Sequence, residues 1–164
     1  MMSVSSFLGA AGFRRVPLSR TGVGHFETAG TLKGEPVRVL IDTGAGRTIV
    51  DLSRARQLGL DIRPVSRCGA GAGGSNLQVF EVRGAELRLG DVVPHTDALL
   101  AMDLTHVNSA LAQKGAAPVD VVLGADVFDA QAAVIDYGSA SLFLRDRSDG
   151  SSSEGPDRSR NGVD

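Results

Sequence analysis

The sequence is poor in the residues that disulfides, metal sites and membrane segments require. Its 164 residues include one cysteine, Cys68, three histidines, no tryptophan, and only six Phe and one Tyr as aromatic residues. A single thiol excludes an intrachain disulfide and a thiolate zinc site, which favours a reducing, cytoplasmic location. No apolar run approaches the roughly 18 residues of a membrane helix, so we expect no membrane partner. The histidines lack the spacing of metal ligands, and we expect no metal.

Strong charge of either sign is also missing. The chain has 17 basic and 19 acidic residues, a net charge of -2 and an isoelectric point near 5.9. Because no segment carries a basic cluster, the sequence argues against a nucleic-acid partner. Lys33 and Lys114 are the only lysines, and this bias toward arginine is typical of a GC-rich, bacterial genome.

Glycine is abundant instead, with 21 residues, and favours turns and close backbone contacts in a β-rich domain. We expect one folded domain over residues 21–145. Residues 1–20 are predicted to form a flexible arm, without the charge order of a secretory signal. Residues 146–164 are polar and predicted to be a disordered tail, because they cannot bury enough apolar surface to order themselves.

Hydrophobic periodicity predicts a mainly β fold, a closed antiparallel β-barrel with one or two short helices. A hairpin is expected around Lys33 and Gly34, and a short helix capped by Asp51 and ended by Gly59. The other expected elements are, in chain order, a strand over 77–82 forming a hairpin with 85–90, a strand over 97–102, a helix over 104–114, a buried strand over 119–124, and two strands around Tyr137 and Gly138.

The segment VLIDTGAGRTIVD places Asp42 directly after a buried strand, in a tight turn. A carboxylate near apolar surroundings ionises at a cost unless specific contacts compensate. Asp42-Thr43-Gly44-Ala45, with Thr48 following, resembles the active-site motif of the retropepsin-like aspartic proteases. Val122-Leu123-Gly124 resembles a second signature of that family. The resemblance extends over most of residues 24–144 and is nearest to bacterial single-domain members.

The resemblance implies an aspartic endopeptidase that cleaves protein or peptide substrates without a cofactor. Asp42, Thr43 and Gly44 would form the catalytic turn, with the Thr43 hydroxyl bracing two active-site loops and Gly44 allowing close approach of the backbones. The residues implied to contact substrate are Ala45 in the cleft floor and Gly71, Ala72, Gly73 and Gly74 in a flap. An ordinary flexible loop is the other interpretation of these glycines.

Peptide hydrolysis of this kind needs two carboxylates that share one proton. Asp136 is the only other Asp followed two residues later by Gly in a late apolar setting, and a hairpin-turn role fits it better. A second lobe does not fit in the chain after it. We therefore expect a homodimer, in which a two-fold axis places Asp42 opposite its own copy.

Two plainer interpretations stand beside this one. An Asp-x-Gly sequence after a strand is often only a turn. A non-catalytic module could also keep the fold and bind extended peptides by strand addition. Arg47 motivates that alternative, because a cation beside the turn could repel its symmetry mate or obstruct the pair of aspartates.

Overall fold

The structure, a computed structural model, describes residues 1–65 and 77–147. Within these ranges the chain forms twelve strands and four helices. The strands are β1 (Phe13–Pro17), β2 (Ser19–Arg20), β3 (Phe26–Leu32), β4 (Glu35–Ile41), β5 (Ile49–Asp51), β6 (Asp61–Pro64), β7 (Phe80–Arg83), β8 (Leu87–Arg88), β9 (Leu99–Met102), β10 (Val121–Leu123), β11 (Val134–Asp136) and β12 (Ser141–Arg145). The helices are α1 (Val4–Ala10), α2 (Leu52–Gln57), α3 (Thr105–Gln113) and α4 (Ala125–Ala130).

The β3–β4 hairpin confirms the first predicted element and leads the chain into the site. Its two-residue turn places Lys33 at φ 54° and Gly34 at φ 81°, as primed hairpin turns require. Seven residue pairs continue from Leu32↔Glu35 to Phe26↔Ile41. Val37, Val39 and Ile41 are buried on one face, so the alternating pattern fixes the register that ends beside Asp42.

The main sheet has the order β2-β3-β4-β10-β5-β9-β7-β6, with β8 attached to β3. Strand β10 lies between β4 and β5, parallel to β4 and antiparallel to β5. Strands β5 and β9 are also parallel. The sheet is therefore mixed, and most of its strand pairs are antiparallel, as expected. Among the described strands neither sheet closes on itself, so the predicted barrel is not confirmed.

Strand β8 pairs with a different strand from the one expected. The sequence predicted a hairpin with the preceding strand, whereas β8 pairs with β3 through Thr31↔Arg88 and Leu32↔Leu87. Leu32 and Leu87 are both buried. Pairing with β3 therefore places the apolar side chain of β8 in the core. Strand β7 instead pairs with β6 and β9.

The helices are more numerous than the one or two expected, with four in the described ranges. The predicted cap of α2 is confirmed, because the Asp51 carboxylate accepts from the N–H of Arg54. Gly59 follows the helix at φ +61°, a conformation that favours glycine. Helix α3 agrees with the expected helix over 104–114. In the described part of the chain no helix is long and apolar enough to span a membrane.

The first 20 residues contain a helix and a paired strand, so the expectation of a flexible arm is wrong. Strand β1 pairs antiparallel with β12 over five residue pairs, and β12 pairs with β11 in a second, three-stranded sheet. Val16 is buried in the core, and Leu8 of α1 is buried as well. Two of the five residues of β1 are arginines, so its apolar face was not evident in the sequence. The hairpin around Tyr137 and Gly138 was predicted correctly. Of the predicted tail, residues 148–164 lie outside the described ranges.

Candidate active site

Asp42 lies at the end of β4 in a turn that its own backbone closes. The N–H of Asp42 donates to the carbonyl of Leu123 (3.1 Å), and the N–H of Ala45 donates to the carbonyl of Asp42 (3.2 Å). One carboxylate oxygen, Oδ1, accepts from the N–H of Gly44 at 2.9 Å. Within the described residues its other oxygen has no hydrogen-bond partner. Asp42 is half-buried among the described residues.

Thr43 and Gly44, at the tip of this turn, are exposed. The Thr43 hydroxyl makes no hydrogen bond to any described residue. A Cβ at Gly44 would lie 3.2 Å from Oδ1 of Asp42, so a larger residue would crowd the carboxylate. The tip therefore carries a hydroxyl and a carboxylate oxygen that have no hydrogen-bond partner in the described part of the chain.

Gly124 forms the support beneath the turn. A Cβ at this position would lie 2.6 Å from the carbonyl oxygen of Arg47 and 2.8 Å from that of Ala45, so the two backbones meet where only glycine fits. Ala125 adds a hydrogen bond from its N–H to the carbonyl of Ala45 (2.7 Å). The segment after β10 thus fixes the segment after Asp42, although the two are far apart in sequence.

A buried hydrogen-bond network continues from this support. The hydroxyl of Thr48, which is fully buried, accepts from the N–H of Gly124 (3.1 Å) and donates to Asp126 (2.8 Å). Thr96 donates to the other carboxylate oxygen of Asp126 at 2.7 Å. Partial burial alone would raise the pKa of Asp126, but bonds from Thr96, Thr48 and the N–H of Val127 outweigh it and lower the pKa.

Sequence reasoning had noted Thr48 but not Asp126. The only local signal for Asp126 is a carboxylate in the first turn of a short helix, which also describes an ordinary surface residue. Its role becomes evident only when Thr48 and Thr96 meet it in the folded chain.

An apolar cluster borders the other side of the turn. Its members come from β4, from α3 and the residue before it, from the segment joining α3 to β10, and from β10. Ala45 and Ile49 of the Asp42 segment pack against it. The buried members are Leu40, Leu104, Leu111, Val119 and Val122. Asp51 attaches α3 to this region, because its carboxylate accepts from the N–H of Leu104 at 3.1 Å. Ala45, predicted in the cleft floor, therefore packs against an apolar cluster three residues after Asp42.

Asp136 belongs to a hairpin turn and not to this site. Its two carboxylate oxygens accept from the N–H of Gly138 (2.9 Å) and the hydroxyl of Ser139 (2.6 Å). The Ser139 hydroxyl and then the Gly138 N–H lower the pKa of Asp136. The predicted substrate residues Gly71, Ala72, Gly73 and Gly74 lie outside the described ranges. Among the described residues, no three His, Asp or Glu side chains form a group that could hold a metal ion.

The sequence model of a family described as "Aspartyl protease" matches residues 28–127, more than half of the chain. The chain belongs to the aspartyl protease family. The matched range contains the Asp42 turn, Thr48, Gly124 and Asp126. The match confirms the family resemblance that was stated on residues 42–48 and 122–124. Comparison with curated protein sequences returns no match.

Solved structures agree with the fold of this aspartyl protease family member. A retropepsin-like aspartic protease from Rickettsia conorii matches with a TM-score of 0.52 at 14% identity, over 80% of this chain and 90% of that one. The retroviral protease-like domain of Ddi1 from Leishmania major matches with a TM-score of 0.50 at 16% identity, over 72% of this chain and 86% of that one. At these identities the likeness establishes a retropepsin-like fold.

Proposed function

We propose that the chain is an aspartic endopeptidase whose active site forms when two copies pair and bring their Asp42 carboxylates together. The observation that carries the proposal is the Asp42 turn itself. One oxygen of Asp42 is held by Gly44, and Gly124 supports the backbone from below. The second oxygen and the Thr43 hydroxyl have no partner among the described residues.

The incompleteness of the site supports the homodimer. An isologous interface brings identical residues together on the symmetry axis. The free hydroxyl of Thr43 could then bond across the axis to the partner turn, and the two Asp42 carboxylates could share a proton. The nearest alternative within the chain, Asp136, has both oxygens engaged in its own turn.

The reaction we propose uses the two carboxyl groups in opposite protonation states. The ionised one takes a proton from a water molecule, whose oxygen bonds to the scissile carbonyl carbon, while the protonated one donates to the carbonyl oxygen. The resulting gem-diol then collapses. The carboxyl group that took the water proton passes it to the amide nitrogen, and the other carboxylate takes a proton from a gem-diol hydroxyl as the C–N bond breaks. A carboxylic acid and an amine leave, and one proton again lies on the pair of carboxyl groups. Ala45 would contact the substrate near this bond.

The test compares Asp42→Asn with Asp136→Asn in the purified protein. Both replacements preserve shape and remove one carboxylate at an Asp-x-Gly turn. We expect Asp42→Asn to abolish cleavage of a peptide library while its circular dichroism remains native, and Asp136→Asn to retain activity. Sedimentation should give the mass of a dimer in the presence of substrate or a statine-type inhibitor. Equal cleavage by wild type and Asp42→Asn, or an active monomer, would contradict the proposal.

The second candidate is a peptide-binding module without catalysis, favoured by one observation. Arg47, exposed and close to Asp42 in sequence, would bring two cations near the axis of a dimer. Binding of a peptide with equal affinity by wild type and Asp42→Ala, without cleavage, would favour the module. For either function we propose a cytoplasmic location, which the single thiol Cys68 suits.

A further inference from the structure

We propose that Arg47 selects substrates with acidic side chains on both sides of the cleaved bond. The inference rests on the proposed function and adds a substrate class to it. It begins with an unpaired cation. Arg14, Arg63 and Arg88 are also exposed, and each forms an ion pair. Arg47 forms neither an ion pair nor a side-chain hydrogen bond with any described residue.

The backbone of Arg47 is fixed, although its side chain has no partner within residues 1–65 and 77–147. Its carbonyl group lies against Gly124, where an added Cβ would approach within 2.6 Å. Ala45, two residues earlier, is bonded to Ala125, and Thr48, the next residue, is fully buried. An exposed cation on a rigid base is suited to ligand selection, because little backbone order is lost when a ligand pairs with it.

The spacing between Arg47 and Asp42 defines where the acidic residue would stand. The hydrogen bond from the N–H of Ala45 to the carbonyl of Asp42 closes a turn. The turn keeps the Cα atoms of Asp42 and Ala45 within about 7 Å. The two further residues add at most about 7 Å. A bound extended peptide advances about 3.3 Å per residue. An acidic side chain two to four residues from the scissile bond is therefore within reach of the guanidinium.

The proposed two-fold symmetry doubles this preference. A second Arg47 lies on the opposite side of the paired Asp42 residues, at the same spacing from the axis. The selected sequence would then carry Glu or Asp at similar distances before and after the cleaved bond. The acidic side chains of such a substrate would also offset the repulsion between the two Arg47 side chains. That repulsion is the observation that favours the peptide-binding module.

The experiment measures cleavage of four matched peptides with one apolar centre. The tested positions are the third residue before the cleaved bond and the third residue after it. One peptide has Glu before the bond, one has Glu after it, one has Glu at both positions, and one has Gln at both. A tested position without Glu carries Gln. The protein variants are Arg47→Gln and Arg47→Glu, with Arg56→Gln as the control. Arg56 lies in α2, is exposed, and also lacks a side-chain partner among the described residues, so its replacement changes the charge equally.

In the wild type and in Arg56→Gln, we expect each Glu to raise kcat/KM about threefold and two Glu about tenfold, as an exposed ion pair allows. The preference should weaken with salt. Arg47→Gln should remove the difference in kcat/KM between Glu and Gln peptides, and Arg47→Glu should reverse it, so that Gln peptides are cleaved faster than Glu peptides. Equal rates on Glu and Gln peptides, or an unchanged ratio in Arg47→Gln, would overturn the inference.

Binding separates this inference from the proposed function. In Asp42→Asn, fluorescence anisotropy with the same peptides reports recognition without hydrolysis. If no peptide is cleaved by the wild type, the endopeptidase proposal fails. A Glu preference in binding that Arg47→Gln removes would still support selection by Arg47, and its absence would refute it.

Discussion

Replacing Gly124 with Ala tests whether the support beneath the Asp42 turn is as tight as the structure indicates. The added Cβ would meet three backbone atoms: the carbonyl oxygen of Arg47 at 2.6 Å, its carbonyl carbon at 2.7 Å, and the carbonyl oxygen of Ala45 at 2.8 Å. Gly124 has φ -114° and ψ -175°, extended values that any residue adopts. The cost therefore comes from contact and not from backbone strain.

Backbone atoms cannot rotate away as a side chain can, so the Asp42 segment must shift. Overpacking of this kind costs about 1–3 kcal/mol, and we expect Gly124→Ala to lose about 2–3 kcal/mol of unfolding free energy. With about 2–4 °C of Tm per kcal/mol for a chain of this size, the melting temperature should fall by roughly 6 °C. The displaced turn should also lower kcat/KM about tenfold or more, since small misplacements of reacting groups are costly.

Two other glycines provide matched controls. A Cβ at Gly46 would meet nothing within 4 Å, so Gly46→Ala should leave the unfolding free energy unchanged or raise it by about 0.5 kcal/mol. A Cβ at Gly30 would lie 2.7 Å from the carbonyl oxygen of Arg88, away from the Asp42 turn. Gly30→Ala should lose stability as Gly124→Ala does, while its folded molecules keep their activity.

Urea unfolding followed by circular dichroism measures all three variants. If Gly124→Ala lies within about 0.5 kcal/mol of the wild type, the range of ordinary surface substitutions, the close contact is not a constraint. If Gly30→Ala loses activity to the same extent, the loss reflects general destabilisation and not the turn.

Three further predictions concern the polar groups around the site. Hydrogen bonds lower the pKa of Asp126 in the folded state. Its carboxylate therefore stabilises the fold at neutral pH, and this stabilisation is lost as the pH falls below about 4. Urea titrations should show a constant advantage of wild type over Asp126→Asn above about pH 5 and a shrinking one below about pH 4, and a constant difference throughout would contradict this. Thr48→Val, which leaves the N–H of Gly124 unpaired, should cost about 2–4 kcal/mol, and Thr48→Ser clearly less; equal losses would show that packing dominates. Asp51→Ala removes the α2 cap and the bond to Leu104, and should cost about 2–4 kcal/mol in thermal unfolding; a loss under about 0.5 kcal/mol would refute that role.

Local patterns predicted the elements whose partners lie nearby in the chain. The alternation of Val37, Val39 and Ile41 beside the Lys33-Gly34 turn was enough for the β3–β4 hairpin, and the Asp51 cap was enough for the start of α2. The turn at Asp42 was predicted in the same way, because its hydrogen bonds to Gly44 and Ala45 are local. The expectation that it is an active-site motif came from the family resemblance.

Elements that depend on distant partners were missed. Strand β1 acquires its buried face only against β12, and β8 only against β3. The parallel pairing of β10 with β4 leaves no trace in the composition of either strand. Asp126 has the same origin, because its partner Thr48 lies 78 residues away. Contacts of this range are decided by packing of the whole chain and not by local propensity.

The position of β10 between β4 and β5 also sets the time at which the site can form. These two strands are close in sequence, yet the strand that joins them in the sheet comes much later, and the bond from Gly124 to Thr48 closes a separation of 76 residues. Forming such a contact late is costly in loop-closure entropy. During synthesis, Asp42 therefore emerges long before its turn has support. A nascent chain that ends before β10 contains Asp42 but not the segment that supports its turn, so the supported turn forms only after most of the domain has been made.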